Sequence, residues 1–162
     1  MNKINFLFVT LFGIGKINKI PGTIASLSTV LFLYYLFHII NISPNIFLLS
    51  LFLLFFISLY AVNFFIKNLT NKDPQEVVID EFIGQSIPIG LYEVAHTMPK
   101  EPDQILKFYL IMFVLFRIFD ITKPFPVNYY EKKFKNSFGI IMDDVCAGLY
   151  VVAILVLYML FI

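Results

Sequence analysis

Long apolar runs separated by short polar clusters dominate this chain. The apolar runs cover residues 24–42, 45–66, 82–96, 105–121 and 145–162. An α-helix needs about 20 mostly apolar residues to cross a bilayer, and most of these runs approach that length. The pattern therefore predicts an all-α fold, a polytopic membrane helix bundle with about five spans.

The run at residues 82–96 is the weakest of these predicted spans. It is short, it contains Gln85 and Glu93, and it is interrupted by Pro88. If this run lay on the membrane surface, the polar groups around Asp80 and those around Asp144 would face opposite sides of the membrane. If it crosses, with tilt or local thinning of the bilayer, all of the large polar clusters share one face. We therefore predict that it crosses.

The distribution of lysines supports the same topology. With five spans, the face shared by the polar clusters carries nearly all lysines outside the spans, whereas the opposite face carries Lys100, with Lys107 just inside the next span. Cytoplasmic loops of membrane proteins are enriched in lysine and arginine. The shared face is thus predicted to be cytoplasmic. Its lysines are Lys3, Lys16, Lys19, Lys67, Lys72, Lys123, Lys132, Lys133 and Lys135.

Composition agrees with a membrane protein and narrows its class. Of 162 residues, 59% are hydrophobic and 14% charged, and the mean hydropathy is +0.84. We expect residues 1–162 to form a single domain, because no linker or internal repeat divides them. The formal net charge of +1 does not indicate that the protein binds nucleic acid. Cys146 is the only cysteine and is predicted to be a packing residue. Residues 1–12 are predicted to be a retained segment that lies in the membrane interface.

Carboxylates gather at the ends of the predicted spans on the shared face: Asp80, Glu81, Asp120, Asp143 and Asp144. Carboxylates this close repel one another unless cations intervene. Oxygen ligands without nearby histidine or cysteine suit magnesium.

Cationic side chains and a glycine-rich loop accompany these acids. Arg117, Lys123, Lys16 and Lys19 supply positive charge. The loop at residues 13–26 could bind phosphate through exposed backbone N–H groups, with Thr23 placed to cap the helix that follows. Acids, cations and such a loop together favour phosphoryl chemistry.

A structural explanation of the same charges stays open. Asp143 and Asp144 could cap the start of the last helix, and ion pairs between Arg117 and Asp120 and between Lys123 and Asp143 could hold the bundle together. His38 and His96 fall toward the opposite face, as interfacial polar residues.

The residue types also narrow the mechanism. A cysteine phosphatase loop needs an arginine after its cysteine, but Arg117 is the only arginine and precedes Cys146. A phosphohistidine intermediate is also disfavoured, because no histidine lies on the face shared by the polar clusters. Magnesium-assisted attack on phosphorus remains, either by water or by an aspartate as nucleophile.

Four motifs resemble the bacterial phosphatidylglycerophosphatase A family. They are the glycine loop that contains Pro21-Gly22-Thr23, the Asp80-Glu81-Phe-Ile-Gly84 string, the segment at residues 116–126 (Phe-Arg-Ile-Phe-Asp-Ile-Thr-Lys-Pro-Phe-Pro), and residues 139–148 with Asp143-Asp144 and Gly148. The resemblance implies magnesium-dependent hydrolysis of phosphatidylglycerophosphate to phosphatidylglycerol and inorganic phosphate, a step of phospholipid biosynthesis at the cytoplasmic face of the bacterial inner membrane.

The same resemblance suggests roles for the site residues. Asp80, Glu81, Asp143 and Asp144 would hold magnesium. Asp120 would act as base, nucleophile or further ligand, and Asp80, Asp143 and Asp144 would also belong to the catalytic set. Substrate phosphate would be bound by Arg117, Lys123, Lys19, Thr23 and Gly22.

Other functions remain as alternatives. The protein could act on another lipid phosphate or transfer a head group between alcohols as a phosphotransferase. It could instead be a small transporter or a structural membrane subunit, although no predicted span carries a charge near its middle, where a permeation path needs polar lining.

Overall fold

A computed structural model describes residues 3–67, 69, 74–95 and 101–161, without the side chains of residues 102 and 130–132. These residues form seven α-helices and one 3₁₀ turn and contain no strand, which confirms the all-α prediction. His96, Lys72 and Lys100 lie outside the described residues. The helices are α1 Lys3–Val9, α2 Pro21–His38, α3 Pro44–Ile66, α4 Ile79–Ala95, α5 Pro102–Thr122, α6 Val127–Lys133 and α7 Ser137–Leu160, with the 3₁₀ turn at Ile14–Lys16.

Prolines mark several helix boundaries. α2, α3 and α5 each begin with a proline, whose missing N–H is not needed in the first turn of a helix. α5 ends at Thr122, and its C-cap Lys123 has a left-handed backbone (φ 43°, ψ 59°) and is followed by Pro124. Proline cannot continue a helix, so Pro124 fits the end of α5 at this point.

Two predictions about helix caps are wrong. α2 begins at Pro21 with Ile20 as its N-cap, so Thr23 already lies within the helix and makes no side-chain cap. α7 begins at Ser137, and the Asn136 side chain caps it by accepting a hydrogen bond from the Gly139 N–H at 3.1 Å. Asp143 and Asp144 therefore lie inside α7, so the capping explanation of these two acids fails.

α4 is the central helix of the bundle. It packs against α2, α3, α5 and α7, and its buried residues include Ile83, Gln85 and Ile89. A helix surrounded in this way is not an isolated surface helix. Its 17 residues rise about 26 Å at 1.5 Å per residue, slightly less than the thickness of a bilayer's hydrocarbon core.

Apolar side chains face outward on two long helices. α3 and α7 are long and apolar enough to cross a membrane. In the most apolar 18-residue stretch of each helix, only 28% of α3 and 44% of α7 is buried. On α3, for example, Leu49 is 64% exposed and Tyr60 76%. Exposed apolar area of this extent is unusual for a water-soluble monomer. It supports a membrane protein with at least these two candidate spans.

Candidate active site

A cavity of about 530 Å³ lies at one end of the bundle. α2 and α4 begin beside it, α5 ends beside it, and α7 passes it in its second turn. Of the site residues predicted from sequence, all but Lys19 line this cavity: Gly22, Thr23, Asp80, Glu81, Arg117, Asp120, Lys123, Asp143 and Asp144. The polar clusters that are far apart in sequence therefore meet in one space.

A contact between two glycines brings α4 and α7 together. A Cβ atom added to Gly84 would lie 2.6 Å from the Asp144 carbonyl oxygen, and one added to Gly148 would lie 2.4 Å from the Gly84 carbonyl oxygen. Any larger residue would push the two backbones apart. Gly84 follows Asp80 by one helical turn, and Gly148 follows Asp144 by one turn, so the contact places the two aspartates side by side.

Asp80, Glu81 and Asp144 form a compact group of carboxylates. Each offers one oxygen, and these oxygens all lie within 4.8 Å of one another. The buried oxygens Oδ1 of Asp80 and Oε2 of Glu81 have no hydrogen-bond partner among the described residues. Buried carboxylate oxygens without partners, at this spacing, suit a hard divalent cation such as magnesium.

The surroundings make negative charge costly at this group. Asp80 and Asp144 are buried, with 9% and 3% of their surface exposed. A carboxylate removed from water loses most of its hydration. The ionised forms of these side chains therefore need a nearby cation.

Gly22 allows the start of α2 to approach the acids. A Cβ atom added to this residue would lie 2.0 Å from Oε1 of Glu81 and 3.4 Å from an Nη atom of Arg117. The first N–H groups of a helix lack intrahelical partners and attract anions. The absence of a side chain at Gly22 thus lets the Glu81 carboxylate and the Arg117 guanidinium lie close to the start of α2.

The cations of the cavity are held by acids. An Arg117 Nη atom donates a hydrogen bond to Oδ2 of Asp120, and Lys123 Nζ lies 3.0 Å from Oδ2 of Asp143. Both predicted ion pairs are confirmed. The other oxygen of Asp143 accepts a hydrogen bond from the Asp144 N–H at 3.0 Å. Asp143 is therefore engaged with Lys123, and it is not one of the three acids of the compact carboxylate group.

The sequence analysis assigned a role to Lys19, which lies outside the cavity, and none to Gln85, which is buried near the acids. Lys19 is exposed and does not line the cavity. Gln85 received no role, yet it is completely buried and neither polar atom of its amide has a hydrogen-bond partner among the described residues. It follows Glu81 by one helical turn, so both side chains lie on the same face of α4. A polar residue four positions after an acid, within an apolar run, was the available signal.

A second polar cluster joins α2, α4 and α5 at the opposite end of the bundle. The Tyr109 hydroxyl donates a hydrogen bond to Oε1 of Glu93 at 3.0 Å, and Nε2 of His38 lies 3.5 Å from the same oxygen. The placement of His38 away from the acids is thus confirmed. The involvement of Tyr109 was not predicted, because it depends on contacts between distant helices.

Comparison with known proteins identifies the family. The family model described as phosphatidylglycerophosphatase A matches residues 7–159. A Haemophilus influenzae protein of that name is 34% identical over 95% of this chain and 87% of its own length. The Escherichia coli protein of the same name is 30% identical over 85% of this chain and 73% of its own length.

A Bacteroides thetaiotaomicron relative, named as a candidate phosphatidylinositol-3-phosphatase, is 33% identical over 89% of this chain and 86% of its own length. No solved structure gives a significant match. The motifs around the cavity and the match across nearly the whole sequence agree, and the chain belongs to the phosphatidylglycerophosphatase A family.

Proposed function

We propose that this protein hydrolyses the phosphomonoester of phosphatidylglycerophosphate, releasing phosphatidylglycerol and inorganic phosphate with the help of magnesium. The observation that carries the proposal is the cavity in which Asp80, Glu81 and Asp144 converge beside Arg117 and Lys123. Family membership supplies the lipid substrate, since two relatives bear the name of this phosphatase.

The proposed topology has five spans, formed by α2, α3, α4, α5 and α7, with the cavity on the cytoplasmic side of the bacterial inner membrane. The meeting of the polar ends of four of these helices in one cavity supports it. The lysine distribution along the sequence favours the cytoplasmic side. α4 is short for a span, so tilt or local thinning of the bilayer would accompany its insertion.

Asp80, Glu81 and Asp144 would hold the magnesium ion. Bound there, magnesium would neutralise charge on the phosphoryl oxygens as a Lewis acid. The unpartnered oxygens of Asp80 and Glu81 support this assignment. Asp143 would hold Lys123 in position beside the carboxylate group, since it accepts hydrogen bonds from Lys123 and from the Asp144 N–H.

The remaining residues would bind and cleave the phosphate. Arg117, Lys123 and the N–H groups at Gly22 and Thr23 would bind the phosphoryl oxygens. Asp120 would take a proton from water as the water oxygen forms its bond to phosphorus. The bond from phosphorus to the glycerol oxygen would break, and that oxygen would take a proton from solvent and leave as phosphatidylglycerol, while Asp120 would return its proton to solvent. Direct attack by Asp120, with a phosphorylated aspartate hydrolysed afterwards, remains the alternative route.

A phosphate-release assay on the purified protein in detergent tests the proposal. We expect release from phosphatidylglycerophosphate that requires magnesium, stops with a chelator and is lost in Asp144→Asn. Glu93→Gln, at the opposite end of the bundle, is the matched control and should retain activity. Equal activity of the wild type and Asp144→Asn would refute the proposed site.

Phosphatidylinositol 3-phosphate is a second candidate substrate. The named activity of the Bacteroides thetaiotaomicron relative favours it. In both lipids, a phosphodiester joins diacylglycerol to a polyol, and the polyol carries a phosphomonoester. Comparing kcat/KM for the two lipids in the same mixed micelles decides between them. We expect the phosphatidylglycerophosphate value to be higher.

A further inference from the structure

A second cavity, of about 630 Å³, adjoins the one that contains the carboxylates. It lies between residues 15–18 and residues 74–76. Asn18, Pro21, Pro74 and Gln75 line both cavities. The two cavities are therefore neighbours, one beside the acids and the other beside the loop that precedes α2.

Lys16 and Lys19 differ from the cations of the inner cavity. Arg117 and Lys123 are paired with acids, whereas neither Lys16 nor Lys19 forms an ion pair with a described carboxylate. Lys16 lines the second cavity, and its Nζ lies 4.5 Å from the centre of the Phe6 ring. This cation–π contact holds the ammonium group beside the cavity without neutralising it. Lys19 is exposed on the same loop.

Exposed apolar residues lie beside these lysines. Ile17 lines the second cavity and is 42% exposed, and Ile20 lines the first and is 66% exposed. Ile20 also has a left-handed backbone (φ 50°, ψ 48°), a conformation that β-branched residues rarely adopt. Such residues commonly mark functional sites. Lysines next to exposed isoleucines are typical of a surface in the bilayer interface.

Resting on the proposed function, we propose that residues 15–20 form a subsite for the phosphodiester of the lipid substrate. The monoester would occupy the inner cavity, and the glycerol linker would pass the shared lining residues. Lys16 would bind the diester, and Ile17 and Ile20 would contact the acylglycerol portion at the membrane. Glu76 lines the same cavity, and its negative charge would oppose the diester. The preferred substrates would thus be lipids with both a phosphodiester and a distal monoester.

Replacing Lys16 tests the subsite through substrate preference. In mixed micelles, Lys16→Gln should raise KM for short-chain phosphatidylglycerophosphate about tenfold, because a charge-assisted hydrogen bond is lost. kcat should stay within about twofold. KM for phosphatidic acid should be unchanged, since its monoester is attached directly to diacylglycerol and it has no diester. Lys16→Arg should restore the KM, and Lys135→Gln, at an exposed lysine outside both cavities, is the matched control.

Glu76→Gln should act in the opposite direction and lower KM for phosphatidylglycerophosphate. An equal KM increase for both lipids in Lys16→Gln would indicate general surface attraction and overturn the proposal, as would an unchanged KM for phosphatidylglycerophosphate. Thermal unfolding of each variant in detergent excludes misfolding as the cause of a change.

Binding of phosphatidylglycerol separates this proposal from the proposed function. This lipid has the diester and lacks the monoester, and native mass spectrometry of the detergent-solubilised protein can measure its binding without catalysis. Lys16→Gln should weaken that binding, and Lys135→Gln should not. If the wild type released no phosphate from any lipid but bound phosphatidylglycerol through Lys16, the phosphatase proposal would fail and the diester subsite would stand. Binding that is independent of Lys16 would overturn the subsite.

Discussion

The two polar clusters of the bundle illustrate two uses of buried charge. At one end, Glu93 accepts a hydrogen bond from Tyr109 and lies next to His38, so these polar groups satisfy one another. At the other end, Asp80, Glu81 and Asp144 lie together with oxygens that have no partner among the described residues. Buried polar groups normally find partners, and like charges repel. The polar groups of the far cluster therefore balance one another, whereas we propose that a bound cation balances the acidic cluster.

The largest expected effect comes from removing one acid of the compact group. Asp144→Asn or Asp80→Asn should lower kcat/KM for phosphate release by about 10²–10³-fold, because several kcal/mol of transition-state stabilisation depend on the metal. Without magnesium, the same variants should unfold at an equal or higher temperature than the wild type, since a like-charge repulsion is removed. A marked loss of stability in the chelated protein would mean that these acids are structural, as those of the far cluster are.

The next effect tests how the acids are brought together. Gly148→Ala places a methyl group 2.4 Å from the Gly84 carbonyl oxygen, and backbone atoms cannot move aside as side chains can. We expect a loss of about 1–3 kcal/mol in unfolding free energy and a fall of about tenfold or more in kcat, because small displacements of catalytic groups slow reactions strongly.

Ala153→Leu, on an exposed part of α7, is the control for this substitution. It enlarges a side chain on the same helix without touching the contact with α4. Activity assays and thermal unfolding in detergent should show little change for Ala153→Leu. If both variants lost activity equally, general sensitivity of α7 would explain the result.

Magnesium added without substrate should stabilise the folded protein, and this effect should depend on the acidic cluster and not on the far cluster. At about one hundred times its dissociation constant, a ligand that binds only the folded state adds about 2.7 kcal/mol. Thermal unfolding with and without magnesium should show this gain in the wild type and in Glu93→Gln. The gain should vanish in Asp80→Asn. A magnesium response that persists in that variant would place the ion elsewhere.

The smallest effect on activity should come from the far cluster. Tyr109→Phe removes the hydroxyl that donates to Glu93, and leaving that carboxylate without its donor should lower unfolding free energy by about 1–3 kcal/mol. kcat and KM should stay within about twofold of the wild type. A tenfold loss of kcat without a loss of stability would show that the two ends of the bundle are coupled.

The sequence predicted the helices and the meeting of the polar clusters, because long apolar runs and lysine distribution depend on local composition and on the bilayer. It did not define the direction of single side chains or the distances between them. Asp143 and Asp144 are adjacent, so their side chains point about 100° apart around α7. Only Asp144 joins the compact carboxylate group, while Asp143 accepts hydrogen bonds from Lys123 and from the backbone. Which of two neighbours faces a partner helix depends on packing that the sequence does not reveal.

The errors at the helix ends have a simpler cause. Asp143 and Asp144 precede a long apolar run and therefore resemble caps, but the residues before them also fit a helix, and Asn136 supplies the cap. Lys19 stands in the predicted phosphate loop, yet side-chain direction in a loop depends on backbone angles such as those of Ile20. The far cluster escaped prediction because Glu93, Tyr109 and His38 stand singly within apolar runs, apart from any polar motif.

The contact between Gly84 and Gly148 also protects the acids from movement of the helices. When two crossed helices rotate against each other about their contact, residues near the contact move least. The displacement of a residue grows with its distance from the contact. Asp80 and Asp144 each lie one turn from the crossing, an arm of about 6 Å along the axis. A rotation of about 10° then moves them by only about 1 Å, whereas the outer ends of the same helices sweep several times farther. Thermal bending of the bundle in a fluid bilayer would thus leave the spacing of these two carboxylates almost constant.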